Sequence, residues 1–204
     1  MNSRAPPVPR LVVLAAGFSA RLGTPKALAR IQGVSLIART LRVLAPFAMA
    51  PIIVVVPPRA ARLRAELRGH RSVLVANPLR SEGLSSSVRR GLRYARYEAA
   101  VLLVPMDLCS LERRDIARLI ARWRGARRRI AARRIGAEAA SPLILPRRLY
   151  RRALGIAGDA GLKALVRNLP PEEIVLVDLP SAALDVDMAL DLERARRRPR
   201  TVTD

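Results

Sequence analysis

Residues 11–28 read LVVLAAGFSARLGTPKAL. Four large apolar residues, Leu11 to Leu14, run straight into Ala15, Ala16 and Gly17. A loop follows that carries Ser19, Arg21, Gly23, Pro25 and Lys26. An apolar run with no polar alternation reads as a strand buried on both faces, the pattern of a parallel sheet covered by helices. The loop after it is either an ordinary basic turn or a cradle for an anion.

Working outward, strand-like and helix-like segments alternate. LVVLAA (11–16) is followed by a helical pattern over 35–47. PIIVVV (51–56) is followed by an arginine-rich helix over 58–69, and RSVLVA (71–76) by a helix over 85–97 opened by serines, which cap exposed amides well. AAVLLVPMD (99–107) ends in an aspartate, and a helix over 112–125 carries Trp123 on its apolar side. Further on, 128–134 and 173–179 read as strands, and 146–154, 159–168 and 187–198 as helices. The expected fold class is α/β: a Rossmann-like three-layer sandwich with a mostly parallel sheet. In such sheets ligands bind at the carboxyl ends of the strands. That rule selects the loop after residue 16 and Asp107 together.

Composition narrows the function. The chain has 204 residues and is half hydrophobic, enough for one domain with a sizeable core. The expected division is a flexible segment over 1–9, one domain over 10–195 and a basic tail over 196–204. No apolar run approaches the ~20 residues of a membrane helix, and MNSRAPPVPR lacks a signal-peptide core. The expectation is a cytoplasmic protein without membrane partners. A single cysteine, Cys109, excludes an internal disulfide and a cysteine-based metal cluster. The single histidine, His70, lies in the polar stretch RGHR and reads as an exposed loop residue. Net charge is +22, from 38 basic against 16 acidic residues, and only Lys26 and Lys163 are lysines. Most of these arginines read as solvated helix faces, although the field they create attracts anions. Aromatics are 3% of the chain. With few rings for base stacking and no recognisable binding module, nucleic acid is not the expected partner.

The loop GFSARLGTPK fits neither the GxxxxGK[ST] nor the GxGxxG spacing. Its parts nevertheless suit a triphosphate. Ala15, Ala16 and Gly17 have small or absent side chains, so main-chain amides can approach a ligand and form an anion-binding concavity. Ser19 supplies a donor, Arg21 a planar fork and Lys26 a compact charge.

LAAGFSARLGTPK resembles the signature LAAGxSxRxGxxK of nucleotidyltransferases that modify the molybdenum cofactor. The chain is similar to the molybdenum cofactor cytidylyltransferase and molybdopterin-guanine-dinucleotide-synthase-like family over roughly residues 10–195. NPLRSEGLSSSVRRGL (77–92) resembles its N-x(4–5)-G-x-S-x-S segment, and VLLVPMDLCSL (101–111) the strand ending in a metal-binding aspartate. GAEAASPLILP (136–146), GDAGLKALV (158–166) and LDVDMALDL (184–192) resemble its G-x(3–4)-P, GDxGAR and DxDTxxDL segments.

The resemblance implies a sheet of the nucleotide-diphospho-sugar transferase type and an enzyme that moves CMP from CTP to the phosphate of molybdenum-molybdopterin. Ala15, Ala16, Gly17, Ser19, Arg21 and Lys26 would hold the phosphates, with Arg21 and Lys26 neutralising the pyrophosphate leaving group. Asp107 and Asp187 would hold Mg²⁺. Asn77, Gly83, Ser85 and Ser86 would lie near base and ribose, and Pro142 and Asp159 near the pterin. The receiving partner would be a molybdoenzyme. Ala-Ala-Gly resembles the cytidylyl branch, whereas the guanylyl branch has LAGG. Three positions depart from the family: Cys109 replaces the proline of D-x-P, Met188 replaces a threonine, and Leu162–Lys163 replace Ala-Arg. The nucleotide side is therefore better matched than the acceptor side. GTP, another phosphorylated acceptor, or a non-catalytic cofactor carrier remain alternatives at this level.

Overall fold

The structure, a computed structural model, describes residues 7–17, 26–106, 108–158 and 162–183. Its frame is a seven-stranded sheet in the order β5-β4-β1-β6-β8-β7-β9. These strands are β1 (Arg10–Leu14), β4 (Ile52–Val56), β5 (Ser72–Ala76), β6 (Ala100–Pro105), β7 (Ile130–Ile135), β8 (Glu138–Pro146) and β9 (Ile174–Val177). A small antiparallel pair, β2 (Arg30–Ile31) and β3 (Val34–Ser35), stands apart from it. β4, β5 and β6 run parallel with β1, and β9 with β7, while β8 is antiparallel to both of its neighbours.

The helices are α1 (Leu36–Leu44), α2 (Ala61–Glu66), α3 (Leu84–Tyr94), α4 (Arg113–Arg124), α5 (Tyr150–Leu154) and α6 (Leu162–Arg167). They cover both faces because every central strand is apolar on both. Leu11 and Val13 face the core shared with α1, α2 and α4, whereas Val12 and Leu14 face the core shared with α3, α5 and α6. Ile52, Val54 and Val56 alternate in the same way with Ile53 and Val55. Side chains alternate across a pleated strand, so a continuous apolar run loads both layers at once. The expected three-layer α/β class is what forms. Trp123 is buried, as its helical position implied.

Several local expectations are corrected. β8 did not read as a strand, because Ser141–Pro142 interrupts it. The strand accommodates them where its register against β7 shifts: Ala132 pairs with Leu143, but Arg133 pairs with Ala140. A residue without an N–H is tolerated where the ladder is already broken. The serines before α3 are not caps. Gly83, at φ +87°, turns the chain so that the helix begins at Leu84 and places Ser85, Ser86 and Ser87 inside its buried first turn. His70 is half-buried, and its carbonyl accepts from Ser72 N (2.7 Å) in the turn entering β5. The helix expected over 187–198 and the terminal segments 1–6 and 196–204 lie outside the described residues.

α3 crosses the sheet closely at Gly91. A Cβ there would lie 2.7 Å from Cγ1 of Val12, which is fully buried in β1. Gly91→Val should destabilise the fold by about 1–3 kcal/mol through overpacking. Thermal denaturation should show a Tm lower by several degrees, and an unchanged Tm would refute the close approach.

At the opposite end of the sheet from the strand carboxyl termini, burial, with Glu98 nearby, pushes the Tyr150 phenol well above its ordinary range, only partly offset by Arg147. Its hydroxyl has no hydrogen-bond partner among the described residues. Folding therefore favours the neutral phenol. That contribution is present below the unfolded pKa of about 10 and is lost as pH rises through the folded value. Tyr150→Phe should be as stable as the parent at pH 7. Denaturant titrations above pH ~10 should show the parent losing stability that the variant keeps.

Candidate active site

The chain runs from β1 to β4 and β5 on one side, then crosses to β6 on the other side of β1. The carboxyl ends of β1 and β6 therefore flank the crevice where the direction of winding reverses, the usual ligand position in such sheets. Leu14 pairs with Pro105, so Ala15 leaves β1 level with Met106, the residue before Asp107. Ala15 N donates to Val55 O at 2.8 Å, which keeps the first step of the loop in register. Ala15 and Ala16 are buried and Gly17 is exposed. Gly17 has no positive φ, and no atom lies within 4 Å of where its Cβ would stand. Neither backbone strain nor crowding requires glycine there, and its bare main chain is open to an approaching ligand.

β8 contributes by stopping short. It pairs with β6 from Pro146 opposite Ala100 to Leu143 opposite Leu103. Val104 and Pro105 of β6 pair only with β1. Pro142 marks the point of departure and leaves that flank of the β6 terminus unpaired.

Beside this crevice, Asn77 follows β5 and is anchored by its own N–H to Val56 O (2.8 Å). Its side-chain amide donates to Ser86 Oγ (2.8 Å) and Ser87 Oγ (3.1 Å), while Oδ1 accepts from Leu79 N (3.1 Å). Ser86 Oγ in turn donates to Gly83 O at 2.8 Å. Asn77, Ser85 and Ser86 are only 2%, 0% and 3% exposed. The amide of Ser85 donates to Gly158 O (3.3 Å) and that of Ser86 to Gly83 O (3.2 Å). These groups have partners inside the protein, and together they fix the Gly83 turn.

One residue here escaped the sequence reading. Arg89 donates to Ser85 Oγ (3.1 Å) and to Ile156 O (2.5 Å), and it pairs with Glu82. It stitches the loop entering Gly158 to the first turn of α3, so the G-x-S-x-S and GDxGAR-like segments meet. Nothing in the sequence distinguishes it from the many other arginines.

The two acceptor-side segments meet at Ala137–Ala139 and Lys163, away from Pro142. Pro142 is buried in β8. Lys163 lines a cavity of about 260 Å³ between α6, the start of β8 and β9, walled by Ala139, Val166, Leu169, Ile174 and Leu176. Arg167 and Glu138 form an ion pair (3.2 Å) beside it. Pro142 is not among its walls. Lys26 is half-buried and opens the short 3-10 turn Lys26–Leu28. Cys109 is buried.

Ser19, Arg21, Asp107, Asp159 and Asp187 lie outside the described residues. Among the described residues no group of three His, Cys, Asp or Glu side chains could hold a metal ion. The metal ligands that the resemblance implies, Asp107 and Asp187, are among the residues not described. Two hard carboxylates suit Mg²⁺ or Mn²⁺, which fill their remaining positions with phosphate oxygens and water. β6 ends at Pro105, two residues before Asp107.

A basic, glycine-bearing loop at the switch point of a mostly parallel sheet defines a nucleotide-binding α/β protein. The chain belongs to the MobA-like NTP transferase domain family, whose model matches residues 11–174. No curated protein matches it. Among solved structures it is similar to Rv0371c from Mycobacterium tuberculosis, with 27% identity, 95% of this chain and 100% of that chain covered and a TM-score of 0.74. A second structure of Rv0371c, in complex with manganese, matches with 23% identity, the same coverage and a TM-score of 0.72. A nucleotidyl transferase from Methanothermobacter shares the fold at 22% identity, covering 93% and 96% of the two chains, with a TM-score of 0.77. Molybdopterin-guanine dinucleotide biosynthesis protein A from Archaeoglobus fulgidus shares it at 14% identity, 92% and 96% coverage and a TM-score of 0.68. The fold is thus the nucleotide-diphospho-sugar transferase-like sheet. No helix among the described residues is long and apolar enough to cross a membrane.

Asn77→Ala removes three hydrogen bonds from a buried cluster. It should cost about 1–3 kcal/mol and lift the exchange protection of the Leu79 amide, read by hydrogen exchange. Retained protection at Leu79 would show that the turn does not depend on Asn77.

Proposed function

We propose that this protein is a Mg²⁺-dependent cytidylyltransferase that transfers CMP from CTP to the terminal phosphate of molybdenum-molybdopterin, releasing pyrophosphate. The observation that carries this reading is the exit of the signature loop at Ala15–Gly17, with its main chain bare, level with the residue before Asp107 at the open end of β6. Family membership supports nucleotidyl transfer, and the Ala-Ala-Gly sequence favours cytidine over guanosine. The manganese complex of Rv0371c supports a divalent metal.

In this reading the amides of Ala15, Ala16 and Gly17, with Ser19, Arg21 and Lys26, bind the triphosphate. An oxygen of the acceptor phosphate attacks the α-phosphorus, a new P–O bond forms, and the α–β bridging bond breaks. Arg21 and Lys26 hold the charge that collects on the departing pyrophosphate, acting as donors already in place. The acceptor oxygen is already anionic, so alignment and charge neutralisation suffice without a dedicated base. Asp107 and Asp187 would hold the metal, which would supply further charge neutralisation when bound. Asn77, Gly83, Ser85 and Ser86 frame the base and ribose side. Asp159, with Pro142, belongs to the acceptor side, and the product passes to a molybdoenzyme.

Thermal shift with Mg²⁺ and each of CTP, GTP, ATP and UTP tests the nucleotide. The largest shift should come with CTP and disappear in Lys26→Ala. Equal shifts for all four would overturn the CTP assignment. Asp107→Asn should lower pyrophosphate release by about 100-fold or more. Release undiminished in that variant would remove the aspartate from the reaction.

A further inference from the structure

α6 is short for the strands beneath it. Its six residues rise about 9 Å at ~1.5 Å each. The four residues of β9 and the nine of β8 extend about 13 and 30 Å. The opposite face of these strands is covered by the twelve-residue α4. On the α6 face the shortfall leaves the cavity of about 260 Å³ between α6, the start of β8 and β9. Its walls are apolar: Ala139 of β8, Ile174 and Leu176 of β9, and Val166 and Leu169. Ala139, Ile174 and Leu176 are only half-buried. Ile130, Ala132, Leu143 and Leu145, which feed the same core, are at most 2% exposed. Apolar surface that is covered elsewhere in this layer therefore stays open to a ligand here.

Three charged residues stand at the cavity: Glu138, Lys163 and Arg167. Glu138 and Arg167 pair with each other at 3.2 Å. Lys163, one turn before Arg167 on α6, has no hydrogen bond or ion pair among the described residues. The cavity thus combines a concave apolar wall with one uncompensated positive charge. Small-molecule sites have this make-up, an apolar lining with a few polar groups that fix orientation. The volume is just below the ~300 Å³ at which such sites usually begin, which suits a single ring or a short branched chain. The charge narrows the ligand further. An ammonium is a compact point charge, whereas the guanidinium fork that would favour a phosphate is engaged by Glu138. A second negative charge would lie beside Glu138 and be repelled. β9 is third from β6 in the sheet, about 14 Å away at ~4.8 Å per strand. The cavity floor on β9 is therefore distinct from the crevice between β1 and β6.

We propose that this cavity is a second ligand site, which binds a small monocarboxylate with a compact apolar body. The apolar body rests on Ala139, Ile174 and Leu176 against α6, and the carboxylate pairs with Lys163.

The test is fluorine NMR titration of the full chain with para-fluorobenzoate and with the neutral para-fluorobenzamide, alongside thermal denaturation of every variant. The acid should bind at least about fivefold tighter than the amide, as a charge-assisted contact would give. Lys163→Met, a substitution at an exposed position, should melt with the parent and bind the acid no better than the amide. Lys163→Arg should retain most of the preference for the acid. Ala139→Leu, which fills the cavity from β8, should weaken both compounds. Glu138→Gln releases Arg167, and phthalate, with two carboxylates, should bind there at least threefold tighter than to the parent. No binding by the parent, or equal affinity for acid and amide, would overturn the proposal. So would acid binding undiminished in Lys163→Met, a comparison that stands even if Ala139→Leu fails to fold. Phthalate binding no tighter in Glu138→Gln would overturn the limit to one charge.

Discussion

β1 hydrogen-bonds along both edges, to β4 on one side and to β6 on the other, and it buries both faces. A strand so confined has one register. A slip of one residue would exchange the side chains feeding the two cores. The register sets Leu14 against Pro105, and that pairing brings the Ala15–Gly17 loop beside the end of β6. The phosphate-loop candidate and Asp107 are far apart in sequence. The strand ends that carry them, Leu14 and Pro105, become neighbours because two apolar strands have only one way to lie together.

Around this rigid centre the loops are held by a few buried polar groups. Asn77 fixes the turn that starts α3, Arg89 joins that turn to the loop before Gly158, and Asp115 joins α4 to the turn after β9. Each spans two segments that apolar contact would leave free to slide. Hydrophobic burial has no direction, whereas a buried hydrogen bond is lost within a fraction of an ångström. The sheet thus supplies stability and the polar clasps supply position.

The arginine excess takes on a second meaning in this light. Several arginines donate to main-chain carbonyls remote in sequence: Arg89 to Ile156, Arg90 to Ala76, Arg118 to Asp178, Arg124 to Pro7 and Arg148 to Arg128. Long stems cover apolar surface while the guanidinium serves carbonyls at loop ends. Much of the positive charge that reads as solvated helix face therefore also staples the periphery, leaving a field suited to anionic substrates.

The sequence by itself determined the three-layer class, the order of most elements and the loop after β1. These follow from local signals: unbroken apolar runs, helical spacing, and small residues followed by basic ones. It did not reveal β8, because Ser141–Pro142 breaks the local strand pattern and only pairing with β6 and β7 makes the segment extended. Nor did it reveal why Ser85 and Ser86 lie inside a helix, which depends on Gly83 and on Asn77 across the turn. Arg89, Asp115 and Ser181 were invisible for the same reason. Their significance lies in partners up to 71 residues away. An arginine, aspartate or serine in a polar stretch looks alike whether it faces water or closes a buried contact, and only the tertiary structure decided which.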